Sequence, residues 1–285
     1  MAGERTQFLV STDWLAEHIA APDLVVVDGS WYLPQMERDA RAEYLEHHIP
    51  GAVFFDIDEI ADIDAGLPHM LPRPEKFSSR MRKMGIGDGQ RIVVYDGMGL
   101  FSAARVWWTF RVMGVADVAV LEGGLPKWMA EGRRVESGPV ERTARHFTAR
   151  LDNGAVRDAA DVLRSLGNGY ETVVDARSAG RFAGTEPEPR EGLRGGHMPG
   201  SLNLPWDGLV TAEGVLKGDD ELKAAFEAIG IDRRKPVVAS CGSGVTAATL
   251  VLALQVLGHR QTAIYDGSWT EWGGRNDLPV ATGPE

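Results

Sequence analysis

The sequence has very little cysteine and no long apolar segment. It contains one cysteine in 285 residues, Cys241, which excludes an internal disulfide and a metal site of clustered cysteines and fits a reducing compartment. No apolar run reaches the roughly 18 residues that a membrane helix needs. The first residues mix charges and lack the apolar core of a signal peptide. We therefore expect a cytoplasmic protein that binds no membrane.

Positive charge is also scarce. The chain has 30 Lys and Arg against 41 Asp and Glu, a formal net charge of −11. A surface this acidic repels phosphate backbones, so we expect no nucleic-acid partner. Hydrophobic residues make up 44% and charged residues 25%, a balance typical of globular proteins that excludes disorder as the main state. At roughly 100–200 residues per domain, the length suggests about two domains.

Four short segments of the first half recur in the second half, in the same order. The clearest pairs are Val25–Asp28 with Thr172–Asp175, and the His-x-Pro-Gly turns at 48–51 and 197–200. The spacing is roughly 147 residues throughout, which indicates a tandem duplication. We predict an N-terminal domain at 1–137, a linker at 138–155 that is rich in charge and glycine, and a C-terminal domain at 156–285.

Within each half, short β-branched apolar runs alternate with helical patterns. This alternation predicts an α/β fold in which each domain has a mostly parallel sheet with helices on both faces. The predicted strands are 24–28, 52–55, 92–95 and 118–121, then 172–175, 201–204, 237–240 and 263–265. The predicted helices are 11–20, 74–84, 102–113, 158–166, 219–229 and 245–257, several of them ending at a glycine such as Gly167.

The cysteine lies where chemistry is commonly placed in such folds. Cys241 follows a predicted strand and precedes a glycine-rich loop and an almost entirely apolar helix. This order aims backbone N–H groups and the positive end of the helix dipole at the side chain, which stabilises a thiolate. A buried structural cysteine is the alternative. The matching position of the first half holds Asp96, which indicates a catalytic C-terminal domain and a catalytically silent N-terminal domain.

The Cys-Gly-Ser-Gly-Val-Thr loop at 241–246 resembles the active loop of the 3-mercaptopyruvate sulfurtransferases, within the rhodanese superfamily. The resemblance covers essentially the whole chain and implies tandem rhodanese-like domains, active only in the second. It implies that Cys241 takes sulfur from 3-mercaptopyruvate as a persulfide, releases pyruvate, and passes the sulfur to a thiol acceptor such as thioredoxin, or to cyanide. Loop N–H groups would hold the sulfur anion, among them those of Gly242, Gly244, Val245 and Thr246.

Two arginines nine residues apart, Arg181 and Arg190, lie in a proline-containing segment of the second half. Their forked donors fit the carboxylate and adjacent carbonyl of a 2-oxo acid, while pairing with neighbouring glutamates is the alternative. Both arginines match the substrate-binding segment of the family. The resemblance also implies a proton relay in which His69 takes the proton of Ser243 and Asp58 orients His69. Local capping of a loop and a helix is the alternative for His69 and Asp58.

Side chains of the loop separate the neighbouring functions. Thiosulfate sulfurtransferases of this superfamily usually carry basic residues after the cysteine, where this sequence has Gly242 and Ser243. Related cysteine phosphatases need an arginine six positions after the cysteine, where this sequence has Ala247. We therefore predict transfer of sulfur from 3-mercaptopyruvate, with a thiosulfate:cyanide sulfurtransferase and a non-enzymatic persulfide carrier as alternatives. We expect a monomer that needs no metal or organic cofactor.

Overall fold

The computed structural model describes residues 2–232 and 234–283, with side chains from residue 5 onwards. The chain forms two compact units. Unit 1 contains the residues up to Asp62 with Leu71–Asp152 and Val210–Leu216, and unit 2 contains Ile63–Met70, Asn153–Leu209 and the residues from Lys217. Most of the segment predicted as a linker thus belongs to unit 1. The predicted domain boundaries stay a prediction, and their outer ends, residues 1 and 285, lie outside the described residues.

Unit 1 is built on a parallel sheet of five strands in the order β1-β5-β4-β2-β3. The strands are β1 (Leu9–Val10), β2 (Leu24–Asp28), β3 (Val53–Phe54), β4 (Arg91–Tyr95) and β5 (Val118–Leu121). The helices are α1 (Ala2–Phe8), α2 (Thr12–His18), α3 (Ala40–Glu46), α4 (Ile57–Ile60), α5 (Pro74–Lys83), α6 (Ala103–Val112) and α7 (Gly124–Ala130). Every residue of β2 is buried, as expected for a strand covered by helices on both faces.

Unit 2 repeats this arrangement with the order β6-β10-β9-β7-β8. Its strands are β6 (Val156–Arg157), β7 (Thr172–Asp175), β8 (Leu202–Asn203), β9 (Val237–Ser240) and β10 (Thr262–Tyr265). Its helices are α8 (Ala159–Asn168), α9 (Ala179–Ala183), α10 (Asp219–Ala228), α11 (Ala247–Val256) and α12 (Ser268–Gly274). The register repeats as well, because Asp28 lies opposite Tyr95 in unit 1 as Asp175 lies opposite Ser240 in unit 2.

The predicted α/β class with two parallel sheets is confirmed. All eight predicted strands are present, and those at 24–28, 118–121, 172–175 and 237–240 have the predicted bounds. The two-residue edge strands β1 and β6 and short helices such as α12 were not predicted from the sequence. The predicted end of α8 at Gly167 is wrong: the helix runs to Asn168 and ends at Gly169, which has a φ of 65°.

No helix in the described part of the chain is both long enough and apolar enough to cross a membrane. The longest helices have ten residues, among them α5, α6 and α11. The apolar character of α6 and α11 instead serves burial inside each unit. All residues of α11 except Gln255 are buried, which matches the sequence-based prediction of an apolar helix after the cysteine loop.

Each sheet has a buried aspartate at the carboxyl end of its second strand, and the two differ in charge compensation. Asp175 forms an ion pair with Arg177 at 2.8 Å, with both side chains fully buried. In unit 1 the residue equivalent to Arg177 is Ser30, whose backbone N–H donates to Asp28 at 2.9 Å. Burial raises the pKa of Asp28 to about 6, although hydrogen bonds from Ser30 and Tyr95 oppose the shift.

We predict opposite effects from removing the charge at these equivalent positions. The pKa of Asp28 is about 6 in the folded state and 3.8 when unperturbed, so the folded state binds the extra proton and stability falls as pH rises through this window. Asp28→Asn should abolish that fall and be at least as stable as the wild type at pH 7. Asp175→Asn should cost about 3 kcal/mol, because the buried charge of Arg177 loses a partner.

Urea denaturation of the wild type and both variants between pH 4.5 and 8 measures these effects. The wild type and Asp175→Asn should keep the fall in stability with pH, since both retain Asp28. A wild-type pH slope that persists in Asp28→Asn would contradict the assignment of this titration.

Candidate active site

The loop that carries Cys241 joins β9 to α11. Cys241 is buried, with 2% of its surface exposed. Its backbone N–H donates to Oγ of Ser268 at 3.2 Å, and its carbonyl accepts from the N–H of Trp269 at 2.9 Å. Gly244 has a φ of 78°, a left-handed conformation that glycine adopts without steric cost. The predicted order of strand, tight glycine loop and helix is therefore present.

The equivalent loop of unit 1 binds a carboxylate of its own. Oδ2 of Asp96 accepts hydrogen bonds from the N–H groups of Phe101, Ser102 and Ala103 at 2.7–2.8 Å, and Oδ1 accepts from Met98 at 2.8 Å. Backbone donors and the N-terminus of α6 thus surround one anionic side chain. The repeated strand-loop-helix unit is a ring of N–H donors that accommodates an anion.

In unit 2 no carboxylate occupies this position, because Cys241 stands where unit 1 has Asp96. Four N–H groups of the Cys241 loop donate to no residue that the structure describes, namely those of Gly242, Ser243, Val245 and Thr246. These donors can therefore serve a sulfur anion on Cys241, as the donors of unit 1 serve the carboxylate.

Two arginines reach the first glycine of this loop. A Cβ added at Gly242 would lie 3.2 Å from Nη2 of Arg181 and 3.9 Å from Nη1 of Arg190. Arg181 lies in α9, at the start of the proline-containing segment, and Oγ of Ser178 caps that helix. The structure therefore brings both predicted substrate-binding arginines to the cysteine loop.

Arg181 ends a chain of buried ion pairs. Its Nη2 lies 2.6 Å from Oε2 of Glu188, so the pairing considered as the alternative from sequence also occurs. Glu188 accepts from Arg177 at 2.7 Å as well, and Arg177 lies 4.1 Å over the ring of Trp269. Burial alone would lower the pKa of Arg177, but the charges of Asp175 and Glu188 raise it. These contacts fix the orientation of the Arg181 guanidinium.

Two of the three residues of the predicted relay are in contact. His69 belongs to unit 2, and its Nδ1 lies 2.9 Å from Oγ of Ser243, with both residues buried. His69 has a φ of 61°, a conformation uncommon outside glycine that marks a constrained position. Asp58 belongs to unit 1, where its carboxylate accepts from the indole Nε1 of Trp31 at 3.0 Å.

The sequence did not predict the residues of α12 that hold the loop. Ser268, fully buried, accepts the N–H of Cys241 and donates to the carbonyl of Tyr265 at 2.8 Å. Thr270 donates to the carbonyl of Gly242 through its N–H at 2.9 Å and its Oγ1 at 2.7 Å. Ser268 aligns with Gly124 in the repeat, and both have positive φ, 48° and 53°. That substitution of serine for glycine was the only signal in the sequence.

Metal ligands do not gather in the part of the chain that the structure describes. No group of three or more His, Cys, Asp and Glu residues there could hold a metal ion. The polar groups that do gather at the loop are backbone N–H groups and guanidinium groups, which bind anions.

A family profile described as the rhodanese-like domain matches the chain twice, at residues 11–131 and 158–275. This chain belongs to the rhodanese family. It is 47% identical over 276 residues to the 3-mercaptopyruvate sulfurtransferase of Escherichia coli (strain K12), covering 96% of this chain and 98% of the relative. It is 45% identical over 271 residues to the thiosulfate sulfurtransferase of Bos taurus, covering 93% of this chain and 91% of the relative.

Among solved structures, SseA from Escherichia coli, described with the rhodanese fold and catalytic mechanism of 3-mercaptopyruvate sulfotransferases, has a TM-score of 0.86 to this chain. The two are 45% identical, and the match covers 92% of this chain and 99% of SseA. The family resemblance stated from the cysteine loop is thus confirmed. Because rhodanese relatives with two different names are almost equally identical to this chain, overall identity does not decide the sulfur donor.

We predict that the two equivalent loop positions contribute differently to stability. Asp96→Ala leaves four N–H groups without their acceptor, so it should lower the free energy of unfolding by about 3 kcal/mol or more. Cys241→Ala removes a side chain that makes no described hydrogen bond, so its cost should stay near 1 kcal/mol. Urea unfolding of both variants measures the difference. Equal losses would contradict an anion-filled ring in unit 1.

Proposed function

We propose that this chain is a 3-mercaptopyruvate sulfurtransferase. The observation that carries the proposal is the pair of equivalent loops, in which N–H groups bind Asp96 in unit 1 and Cys241 occupies the equivalent position in unit 2. A cysteine at such a position suits a thiolate nucleophile and a persulfide. Two guanidinium groups at Gly242 suit the carboxylate and carbonyl of a 2-oxo acid.

In the first step the thiolate of Cys241 attacks the thiol sulfur of 3-mercaptopyruvate. A sulfur–sulfur bond forms as the carbon–sulfur bond breaks, and the electron pair of the broken bond passes to carbon. The product is the enolate of pyruvate, which takes up a proton, while the sulfur stays on Cys241 as a persulfide. Arg181 and Arg190 hold the carboxylate and carbonyl, so the charge that develops on the enolate oxygen lies beside cations.

In the second step a thiol acceptor takes the outer sulfur. The thiolate of the acceptor, for which we propose thioredoxin, attacks that sulfur, and the sulfur–sulfur bond of the enzyme breaks. Cys241 returns as a thiolate, and the acceptor carries the persulfide. Cyanide reacts in the same way and leaves as thiocyanate. These steps require no metal or organic cofactor, and we propose that they take place in the cytoplasm on a monomer.

We assign proton transfer to His69 and Ser243, and the contact of 2.9 Å between them supports this role. Neutral His69 accepts the proton of Ser243, which in turn accepts the proton of the substrate thiol; the reverse transfer supplies the proton for the enolate carbon. The role of Asp58, orienting His69, stays a prediction from the family resemblance.

A thiosulfate sulfurtransferase is the second candidate, because the bovine relative of that name is 45% identical to this chain. Thiosulfate is a dianion and calls for additional positive charge, whereas Gly242 and Ser243 are neutral. A side chain at Gly242 would also meet Arg181, since an added Cβ already lies 3.2 Å from its Nη2. A persulfide carrier that uses no small donor would not need two arginines at this glycine.

A comparison of sulfur donors tests the proposal. With cyanide as acceptor, kcat/KM for 3-mercaptopyruvate should exceed that for thiosulfate by on the order of 100-fold, since the loop supplies no charge for a dianion. Thiocyanate release measures both values. Cys241→Ser should lose all turnover and the persulfide mass while keeping the circular dichroism spectrum of the wild type. A preference for thiosulfate would refute the donor, and turnover by Cys241→Ser would refute the nucleophile.

The arginine pair is tested by a variant that keeps the positive charge and loses the paired N–H donors of the guanidinium group. Arg190→Lys should lower kcat/KM for 3-mercaptopyruvate about tenfold or more, mainly through KM, because a charged hydrogen bond is lost. Arg275→Lys is the matched control, since Arg275 belongs to the same unit and pairs with Asp277 at the surface. An unchanged KM in Arg190→Lys would remove Arg190 from the substrate site.

A further inference from the structure

We infer that Glu188 sets the charge of the donor site and so favours a monoanionic sulfur donor over a dianionic one. The inference rests on the proposed function, because it concerns the choice between 3-mercaptopyruvate, which has one carboxylate, and thiosulfate, which carries two negative charges. Glu188 acts through Arg181, which makes it a positioning residue that determines specificity.

The carboxylate of Glu188 is shared between two arginines. Its side chain is 2% exposed, its Oε1 accepts from Nη1 of Arg177 at 2.7 Å, and its Oε2 accepts from Nη2 of Arg181 at 2.6 Å. Nε of Arg181 lies 3.4 Å from Oε1, so the carboxylate covers one edge of this guanidinium. Nη1 of Arg181 donates to no described residue, and Nη2 lies over Gly242. Arg181 is therefore fixed along one edge and directed at the cysteine loop.

The chain of ion pairs that ends at Arg181 has no net charge. Two arginines, Arg177 and Arg181, are balanced by two acids, Asp175 and Glu188. The side chains of three of the four are at most 2% exposed, and that of Arg181 is 20% exposed, so solvent and salt screen these charges weakly. A donor at Gly242 therefore meets Arg190 together with Arg181, and the charge of Arg181 is largely compensated. A second negative charge on the donor gains little attraction there and is repelled by Glu188.

Unit 1 contains a similar pair that lacks this burial. Arg38 pairs with Glu43 at 2.6 Å, and its Nη2 reaches the carbonyl of Gly97, the equivalent of Gly242, at 3.5 Å. The side chains of Arg38 and Glu43 are 37% and 36% exposed, so solvent screens their charges. An arginine–glutamate pair beside the loop glycine is thus common to both units, and its burial is particular to the unit with the cysteine.

Glu188→Gln tests the inference, because it removes the charge and keeps the shape and one acceptor oxygen. The ratio of kcat/KM for thiosulfate to kcat/KM for 3-mercaptopyruvate should rise about tenfold or more. The rise should persist as ionic strength increases, because salt screens these buried charges weakly. Glu188→Asp, which keeps the charge, should retain the wild-type ratio at every salt concentration.

Glu186→Gln is the matched control. It removes the same charge two residues away, from an exposed residue whose Oε2 accepts from Oγ of Ser178 at 2.8 Å. Glu186 makes no ion pair with Arg177 or Arg181 among the described contacts. Its ratio of donor efficiencies should equal that of the wild type.

The possible results distinguish a failure of the inference about Glu188 from a failure of the proposed function. A wild type that does not use 3-mercaptopyruvate would refute the proposed function. A wild type that prefers 3-mercaptopyruvate, with Glu188→Gln lowering both efficiencies by the same factor, would leave the function standing and reduce Glu188 to a structural role. A rise of the ratio in Glu186→Gln equal to that in Glu188→Gln would indicate a general charge effect and would also overturn the inference.

Discussion

Backbone N–H groups gathered between a parallel strand and the start of a buried helix favour an anion as their acceptor, and the equivalent loops of both units depend on this preference. In unit 1 the chain supplies the anion itself, as the carboxylate of Asp96. In unit 2 Cys241 holds that position, so a sulfur anion can take the same donors. The two loops differ at this position, aspartate in unit 1 and cysteine in unit 2, while the strand order of the two sheets is equivalent.

The second constraint is that charged side chains buried near the loop need partners of opposite charge. Asp175, at the end of β7, binds Arg177, and Glu188 joins Arg177 to Arg181 at the loop. All four members are paired, and three of them are buried, where an uncompensated charge would be costly. Unit 1 lacks this chain, and the pKa of its buried Asp28 rises to about 6 because burial is not offset by a cation. The ion pairs thus occur in the unit where an arginine lies beside the cysteine loop.

Much of this architecture follows from the sequence, and the rest depends on contacts that no local pattern encodes. The apolar runs predicted the long strands, and the repeat predicted two equivalent loops and the contrast between Asp96 and Cys241. Thr270 reaches the carbonyl of Gly242 from 28 residues along the chain, and nothing near the loop indicates it. The grouping of His69 with unit 2 was equally hidden, because the segment 63–70 lies within the first repeat of the sequence. Only the resemblance to a known family paired His69 with Ser243.

Identity over the whole chain says little about the sulfur donor. Relatives named for 3-mercaptopyruvate and for thiosulfate are 47% and 45% identical to this chain, so their identities hardly differ although their named donors do. A ring of N–H groups accepts a carboxylate or a sulfur anion alike and does not select the molecule that delivered the sulfur. We propose that this selection rests on the few side chains that face Gly242 and on the buried acid that compensates one of them. Under this proposal, specificity can change at two or three positions while the fold and the cysteine loop stay the same.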